Sequence, residues 1–78
     1  MKNLIKVNNK RDNERLIRIG EVLAKTGISR SYCYAMANQG KFPAPVKLSE
    51  RSSAWVESEV DSWIAMRIAQ RFEVGQSS

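Results

Sequence analysis

The chain has 78 residues, of which 42% are hydrophobic and 27% charged, and this balance is typical of one small globular domain. One cysteine and no histidine exclude an internal disulfide, a Cys/His zinc site and a histidine-dependent catalytic centre. We therefore expect no enzyme activity, no metal and no cofactor. No apolar run approaches the roughly 20 residues of a membrane span, and the N-terminus lacks the apolar core of a secretory signal. We expect a cytoplasmic protein with no membrane partner.

The formal net charge of +5 is unevenly distributed along the chain. Residues 1–47 hold ten Lys/Arg and three Asp/Glu, whereas residues 48–78 hold three and five. A basic first part and a mildly acidic second part favour a polyanionic partner on one side of the domain. Charge alone would fit an ordinary basic soluble protein equally well.

Residues 1–14 are rich in Lys and Asn, and their apolar side chains are few. We predict a flexible basic arm here. Two alternatives stay open for it: a plain disordered tail, or an arm that lies along the backbone or in the minor groove of DNA.

A short strand and two short helices are predicted next. Residues 15–19 alternate as a strand does, and residues 20–26 suit a helix of about two turns. Gly27 can adopt a positive φ and end that helix, and Ile28 supplies an apolar side chain to fill the turn. With a second helix at 29–39, this order predicts a helix-turn-helix.

The helix at 29–39 has two chemically different sides. Ser29 is placed to cap its N-terminus, and Gly40 is placed to stop it. Apolar residues recur at i, i+3 and i+4, and the other side is polar without an acid. The apolar residues are Cys33, Met36 and Ala37, and the polar residues are Arg30, Ser31, Tyr34 and Asn38. Hydroxyl, amide and guanidinium groups contact phosphates and base edges, so we interpret this segment as a DNA recognition helix.

A β-hairpin is predicted after Gly40, because two prolines hold the chain extended and strand-like segments 46–48 and 54–56 then flank a polar tip. Period two places Lys47 and Trp55 on one face, although a bulge at the tip could reverse one strand and leaves the facing of Trp55 open. We expect three aromatic side chains in the core: Phe42, Trp55 and Trp63.

The last helix is predicted to start with Ser58 as its N-cap, and Asp61 completes a capping box. Acids crowd its first turn, where the helix dipole favours them. Residues 73–78 are predicted to be a frayed tail. The predicted buried stripe of this helix is Val60, Trp63, Ile64 and Ile68.

Four segments together resemble the AlpA family of small phage and prophage DNA-binding regulators, which are related to excisionases and to the DNA-reading domain of MerR-type proteins. The similarity covers about residues 15–69. The segments are L-I-R-I-G-E-V at 16–22, T-G-I-S-R-S at 26–31, Q-G-K-F-P-A-P-V-K-L at 39–48 and A-W-V-E-S-E-V-D-S-W-I at 54–64.

The resemblance implies a fold that is mainly α with a small β-hairpin: a winged helix-turn-helix with three helices and a two-stranded wing, over residues 15–72. The helix at 29–39 would enter the major groove, and a wing at 47–54 would reach the neighbouring minor groove or backbone. Ser29, Arg30, Ser31 and Tyr34 match the family's groove-facing positions, and Arg51 matches its wing.

Arg30 is the first candidate for base readout, because a guanidinium can pair with both O6 and N7 of guanine. A solvated helix arginine is its alternative. Tyr34 is expected to donate to a phosphate, against the alternative of a ring half-buried at the domain edge. The full set of predicted DNA-binding residues is Ser29, Arg30, Ser31, Tyr34, Asn38, Lys41, Lys47, Arg51 and Arg18.

The predicted function is sequence-specific binding of double-stranded DNA, by a chain that is monomeric in solution and binds cooperatively to repeated sites. Two roles fit one surface: transcriptional control, or an excisionase, which is a recombination directionality factor. An integrase and RNA polymerase are candidate protein partners. The alternative from a different class is a protein-interaction module that binds an integrase or a polymerase subunit through the apolar and acidic side of the domain.

Overall fold

The computed structural model describes residues 13–77, with side chains described for residues 13–72. The predicted arm over residues 1–14 therefore lies almost wholly outside the described residues. The described part of the chain forms, in order, β1 (Leu16–Ile17), α1 (Ile19–Thr26), α2 (Arg30–Asn38), β2 (Val46–Ser49), β3 (Ser52–Val56) and α3 (Glu57–Ser77). This is the predicted winged helix-turn-helix, with the predicted strand at 15–19 shortened to two residues.

The turn between α1 and α2 has the conformation that its sequence predicts. Gly27 has φ +78°, and its amide donates to the Leu23 carbonyl oxygen over 2.7 Å. A positive φ of this size strains any residue with a Cβ atom, so glycine fits this position best. Ile28 then packs against the core, and Ser29 begins the second helix.

Three antiparallel strands form the wing and its base, in the order β1-β3-β2. Ile17 pairs with Trp55, and Val46 pairs with Ala54. The register shifts between Lys47 and Ser49, so a bulge lies close to the hairpin tip. The extra residue lies on β2, so the alternation of β3 is undisturbed. Trp55 therefore lies on the core face of the sheet, together with its partner Ile17.

The core lies between this sheet face and the three helices. Trp55 and Val22 are fully buried, and Phe42 is 4% exposed. Trp63 is only partly buried and packs against the edge of the core, so the prediction that both tryptophans are core holds fully for Trp55 alone. The buried cluster consists of Ile17, Val22, Cys33, Met36, Phe42, Trp55 and Val60.

The start of α3 differs from the predicted capping box. The helix begins at Glu57, directly after β3, so Ser58 lies inside it and cannot be its N-cap. The Glu57 amide donates to the Arg15 carbonyl oxygen over 2.8 Å, and Ser58 Oγ donates to Glu14 Oε1 over 2.8 Å. The Arg15 carbonyl oxygen, next to β1, thus accepts from the first amide of α3, where the sequence predicted a cap by the Ser58 side chain.

Ion pairs join the start of α3 to α1. The Glu57 carboxylate accepts from Arg15 and from Lys25 Nζ, each over 3.1 Å. Lys25 Nζ also lies 3.0 Å from Asp61 Oδ1, and these two carboxylates raise the pKa of Lys25. The acids at this end of α3 are therefore engaged within the protein.

The second half of α3 extends past the core. Ile68, predicted to be buried, is 49% exposed, and Phe72 is 60% exposed. The helix continues to Ser77, beyond the Phe72 boundary that we predicted for the domain. Val60 and Ile64 lie within the reach of the core, whereas Ile68, one turn further, has passed its edge.

We predict that Trp55→Phe destabilises the fold by about 1–3 kcal/mol, because a partly buried Pro43 carbonyl oxygen loses its donor, Trp55 Nε1, now at 3.0 Å. Trp63→Phe is the matched control, since its Nε1 bond to the Lys41 carbonyl oxygen is exposed to solvent. Urea denaturation followed by circular dichroism measures both. Equal losses in the two variants would show that the Trp55 bond has no special role.

We predict that stability falls at alkaline pH as Lys25 loses its proton. Its pKa is raised in the folded state, because the charged form is hydrogen bonded to Asp61 and Glu57. That stabilisation is complete below the pKa of an unfolded-state lysine and disappears as pH rises through the higher folded value. In Lys25→Gln the corresponding part of the alkaline slope should vanish, as measured by denaturation midpoints across pH. An unchanged slope would contradict this role.

Candidate nucleic-acid interface

Helix α2 presents its polar side to solvent and its apolar stripe to the core. Cys33 is fully buried and Met36 is 5% exposed. The predicted separation of the two sides is therefore observed. Residues that are exposed on the polar side are Arg30, Ser31, Tyr34 and Asn38.

Ser29 caps α2 as predicted. Its Oγ accepts from the Tyr32 amide over 3.2 Å, and its carbonyl oxygen accepts from the Cys33 amide over 2.9 Å. No acidic residue lies in the first turn. The N-terminus of α2 therefore carries the partial positive charge of the helix dipole, and the guanidinium of Arg30 adds to it. This arrangement attracts anions.

Tyr34 connects α2 to the wing. Its ring lies 5.8 Å from the Trp55 ring, centroid to centroid, with the planes tilted by 59°. The side chain is 39% exposed, so the phenol is partly packed and partly in solvent. The ring is thus half-buried at the domain edge, as the alternative interpretation of Tyr34 predicted, and the residue stays accessible from the polar side of α2.

The wing carries two of the predicted cations. Arg51 is exposed in the two-residue tip between β2 and β3, beside the acidic Glu50. Lys47 is exposed on β2, and its Nζ donates to the Glu50 carbonyl oxygen over 3.0 Å. Lys47 pairs with Ser53, so it lies on the same face as Trp55, which is the face toward Tyr34 of α2. The bond to Glu50 means that Lys47 also closes the hairpin.

Arg18 and Lys41 are exposed, but they lie outside α2 and the hairpin strands. The Arg18 carbonyl oxygen accepts from the amides of Glu21 and Val22, and thereby starts α1. Lys41 follows α2, where its amide donates to the Met36 carbonyl oxygen over 2.8 Å. Their backbones have structural roles, while the charged ends of both side chains reach solvent.

Sequence reasoning left two features of α2 out of the candidate set. Tyr32 is 50% exposed at the border of the polar side. Ala35 is exposed near the middle of that side, between Ser31 and Asn38. A small residue there lets a ligand approach the helix backbone closely. The helical period could have predicted that Ala35 lies on the polar side, because residues 31, 35 and 38 share one side of the helix.

Burial raises the pKa of the Cys33 thiol. The thiol therefore stays protonated beneath α2 and behaves as a small apolar side chain. Within the described residues, no group of three or more Cys, His, Asp or Glu is placed to hold a metal ion. The helices described here are also too short or too polar to cross a membrane.

Two helices joined by a tight turn and followed by a two-stranded wing and a third helix define the class of the winged helix-turn-helix. Comparison with known proteins gives the family. The family described as "Prophage CP4-57 regulatory protein (AlpA)" matches residues 15–68, and the chain belongs to it. This confirms the resemblance found in the sequence.

Two relatives illustrate the membership. The chain is 45% identical over 58 residues to "Uncharacterized protein ORF88" of Enterobacteria phage P4, a match over 74% of this chain and 66% of that protein. It is 32% identical over 65 residues to the "DNA-binding transcriptional activator AlpA" of Escherichia coli K12, over 76% of this chain and 93% of that protein. No solved structure matches significantly.

We predict that Ser29→Ala lowers the free energy of unfolding by about 1 kcal/mol, because the Tyr32 amide loses its acceptor. Ser31→Ala is the matched control: it removes an exposed hydroxyl from the same turn and should change stability by less than about 0.5 kcal/mol. Chemical denaturation measures both variants. Equal effects would show that the cap contributes nothing.

Proposed function

We propose that the chain is a sequence-specific, double-stranded-DNA-binding regulator of a prophage or genomic island. One observation carries the proposal: α2 buries Cys33 and Met36 and exposes on its other side Arg30, Ser31, Tyr34 and Asn38, with no acid among them. The family membership and the printed name of the Escherichia coli relative support it.

In this proposal α2, with its cap at Ser29, enters the major groove. The free amides of the first turn and the Ser29 hydroxyl face a phosphate, which sets the register of the helix. Arg30 follows immediately and is the residue that reads a base, through paired hydrogen bonds to guanine. Tyr34 and Asn38 continue the contact one and two turns further along the same side.

The wing supplies the second contact. Arg51 at its tip reaches the neighbouring minor groove or backbone, and Lys47 adds positive charge on the face toward α2. Lys41 and Arg18 are proposed as peripheral phosphate partners. Phosphate contacts then set affinity, and a few side chains of α2 select the sequence.

Two biological roles use this one surface. The chain acts as a transcriptional regulator, as an excisionase that directs recombination beside an integrase, or as both. A domain of this size covers little DNA, so we propose that monomers bind cooperatively to adjacent repeated sites. Because its proposed target is DNA, we place the protein in the cytoplasm.

We predict that the affinity for a labelled duplex from the region flanking the gene falls steeply as the salt concentration rises. The reason is that binding to phosphates releases counterions from the DNA, and salt opposes this release. Titrations at several salt concentrations, combined with a footprint, measure the slope and locate the sites. A chain that fails to bind at low salt would contradict the proposal. A single short site occupied tightly by one monomer would contradict cooperative binding.

We predict that Arg30→Ala reduces discrimination between the preferred site and a one-base variant by a factor of about 5 to 150, because the guanidinium no longer pairs with guanine. Arg71→Ala is the matched control, because it also removes one arginine charge, but from the exposed second half of α3. Competition titrations measure both, with thermal unfolding as a check on folding. Equal losses of discrimination in the two variants would show that Arg30 does not read a base.

A further inference from the structure

A shallow, largely apolar depression lies between the end of α2 and α3, and of its lining residues Lys41 alone also belongs to the proposed DNA-binding set. We name it the Trp63 cup; it has a volume of about 250 Å³ and is lined by Gly40, Lys41, Phe42, Pro43, Trp63 and Met66. Small-molecule sites typically have volumes of about 300–1,000 Å³. The size of the cup therefore favours a single inserted side chain over a whole small ligand.

Most walls of the cup are apolar, and its two aromatic rings pack against each other. Phe42 is almost fully buried and meets the Trp63 ring at 4.8 Å between centroids, at 71°. Trp63 Nε1 already donates to the Lys41 carbonyl oxygen over 2.9 Å, so the indole offers no unpaired polar atom. Met66 is 47% exposed and forms an adaptable wall. This chemistry fits an aromatic or large aliphatic side chain.

The surroundings of the cup are basic. Lys41 belongs to its lining, and the guanidinium carbon of Arg67 lies 5.3 Å from the centroid of the Trp63 ring. None of the described residues that line the cup is acidic. Two acids near the start of α3, Glu57 and Asp61, both pair with Lys25.

A second copy of the chain would fit this surface poorly. Its most exposed aromatic side chain, Phe72, carries Arg71 over its own ring at 4.8 Å. Inserting that ring would bring a cation against Lys41 and Arg67. Charge complementarity instead requires negative groups on both sides of the inserted residue.

We propose that the Trp63 cup binds a partner protein through a short segment in which one aromatic or large aliphatic residue is flanked by acidic residues. The anchor fills the cup against Phe42, Trp63 and Met66, and the carboxylates pair with Lys41 and Arg67. This site goes beyond DNA binding, with which it shares Lys41 alone. Since Gly40 directly follows the last turn of α2, the segment would dock next to the recognition helix.

The test uses three acetylated five-residue peptides as probes, titrated into the isotopically labelled full chain and followed by NMR. The first carries Phe between two Asp on each side, the second replaces Phe with Ala, and the third replaces each Asp with Lys. Only the first should shift the Trp63 indole signal and the amides of Lys41 and Phe42, with a Kd on the order of 1 mM. Absence of binding by the first peptide, or equal binding by either other peptide, overturns the proposal.

Two matched variants locate the site. Met66 and Ile68 are exposed to the same extent, 47% and 49%, but lie two residues apart and so on opposite sides of α3. Met66→Glu should weaken binding of the first peptide at least about tenfold, and Ile68→Glu should change it less than about twofold. Equal effects, or peptide-induced shifts confined to the polar side of α2, overturn the assignment. Neither Met66 nor Ile68 belongs to the proposed DNA-binding residues. Titrations of the same variants with DNA therefore test the proposed function separately from peptide binding.

Discussion

The buried indole of Trp55 holds the parts of this small domain in register. Its N–H donates to the Pro43 carbonyl oxygen, its ring touches Tyr34 of α2, and its backbone pairs with Ile17 of β1. One residue thus contacts the connection after α2, the exposed side of α2 and the base of the wing. Because these contacts converge on a fully buried residue, α2 and the hairpin keep a fixed relation that a reading surface requires.

Around that centre the charged side chains are segregated. At the start of α3, Glu57 pairs with Arg15 and Lys25, and Asp61 pairs with Lys25. In contrast, α2 exposes hydroxyl, amide and guanidinium groups with no acid of its own. The proposed DNA contact uses the second surface. The proposed peptide contact uses a third, the Trp63 cup, whose walls are apolar and whose rim is basic.

Local signals predicted much of this architecture. The turn at Gly27, the cap at Ser29 and the two sides of α2 depend on residues close together in sequence, and the structure confirms all three. Contacts between distant segments were not predictable in the same way. The capping box at Ser58 was wrong because the Arg15 carbonyl oxygen, 42 residues earlier, receives the first amide of α3. The helical period continues through Ile68, but no periodicity marks where the core beneath it ends.

We propose that the polar side of α2 and the wing tip face a DNA duplex and that α3 does not. Backbone amide hydrogen exchange, measured on the chain alone and with a duplex from the region flanking its gene, tests this most directly. The predicted result is slower exchange in the DNA complex across residues 29–38 and 49–52, with residues 57–72 unchanged. Protection confined to α3, with α2 and the wing tip exchanging as fast as in the free chain, would contradict it.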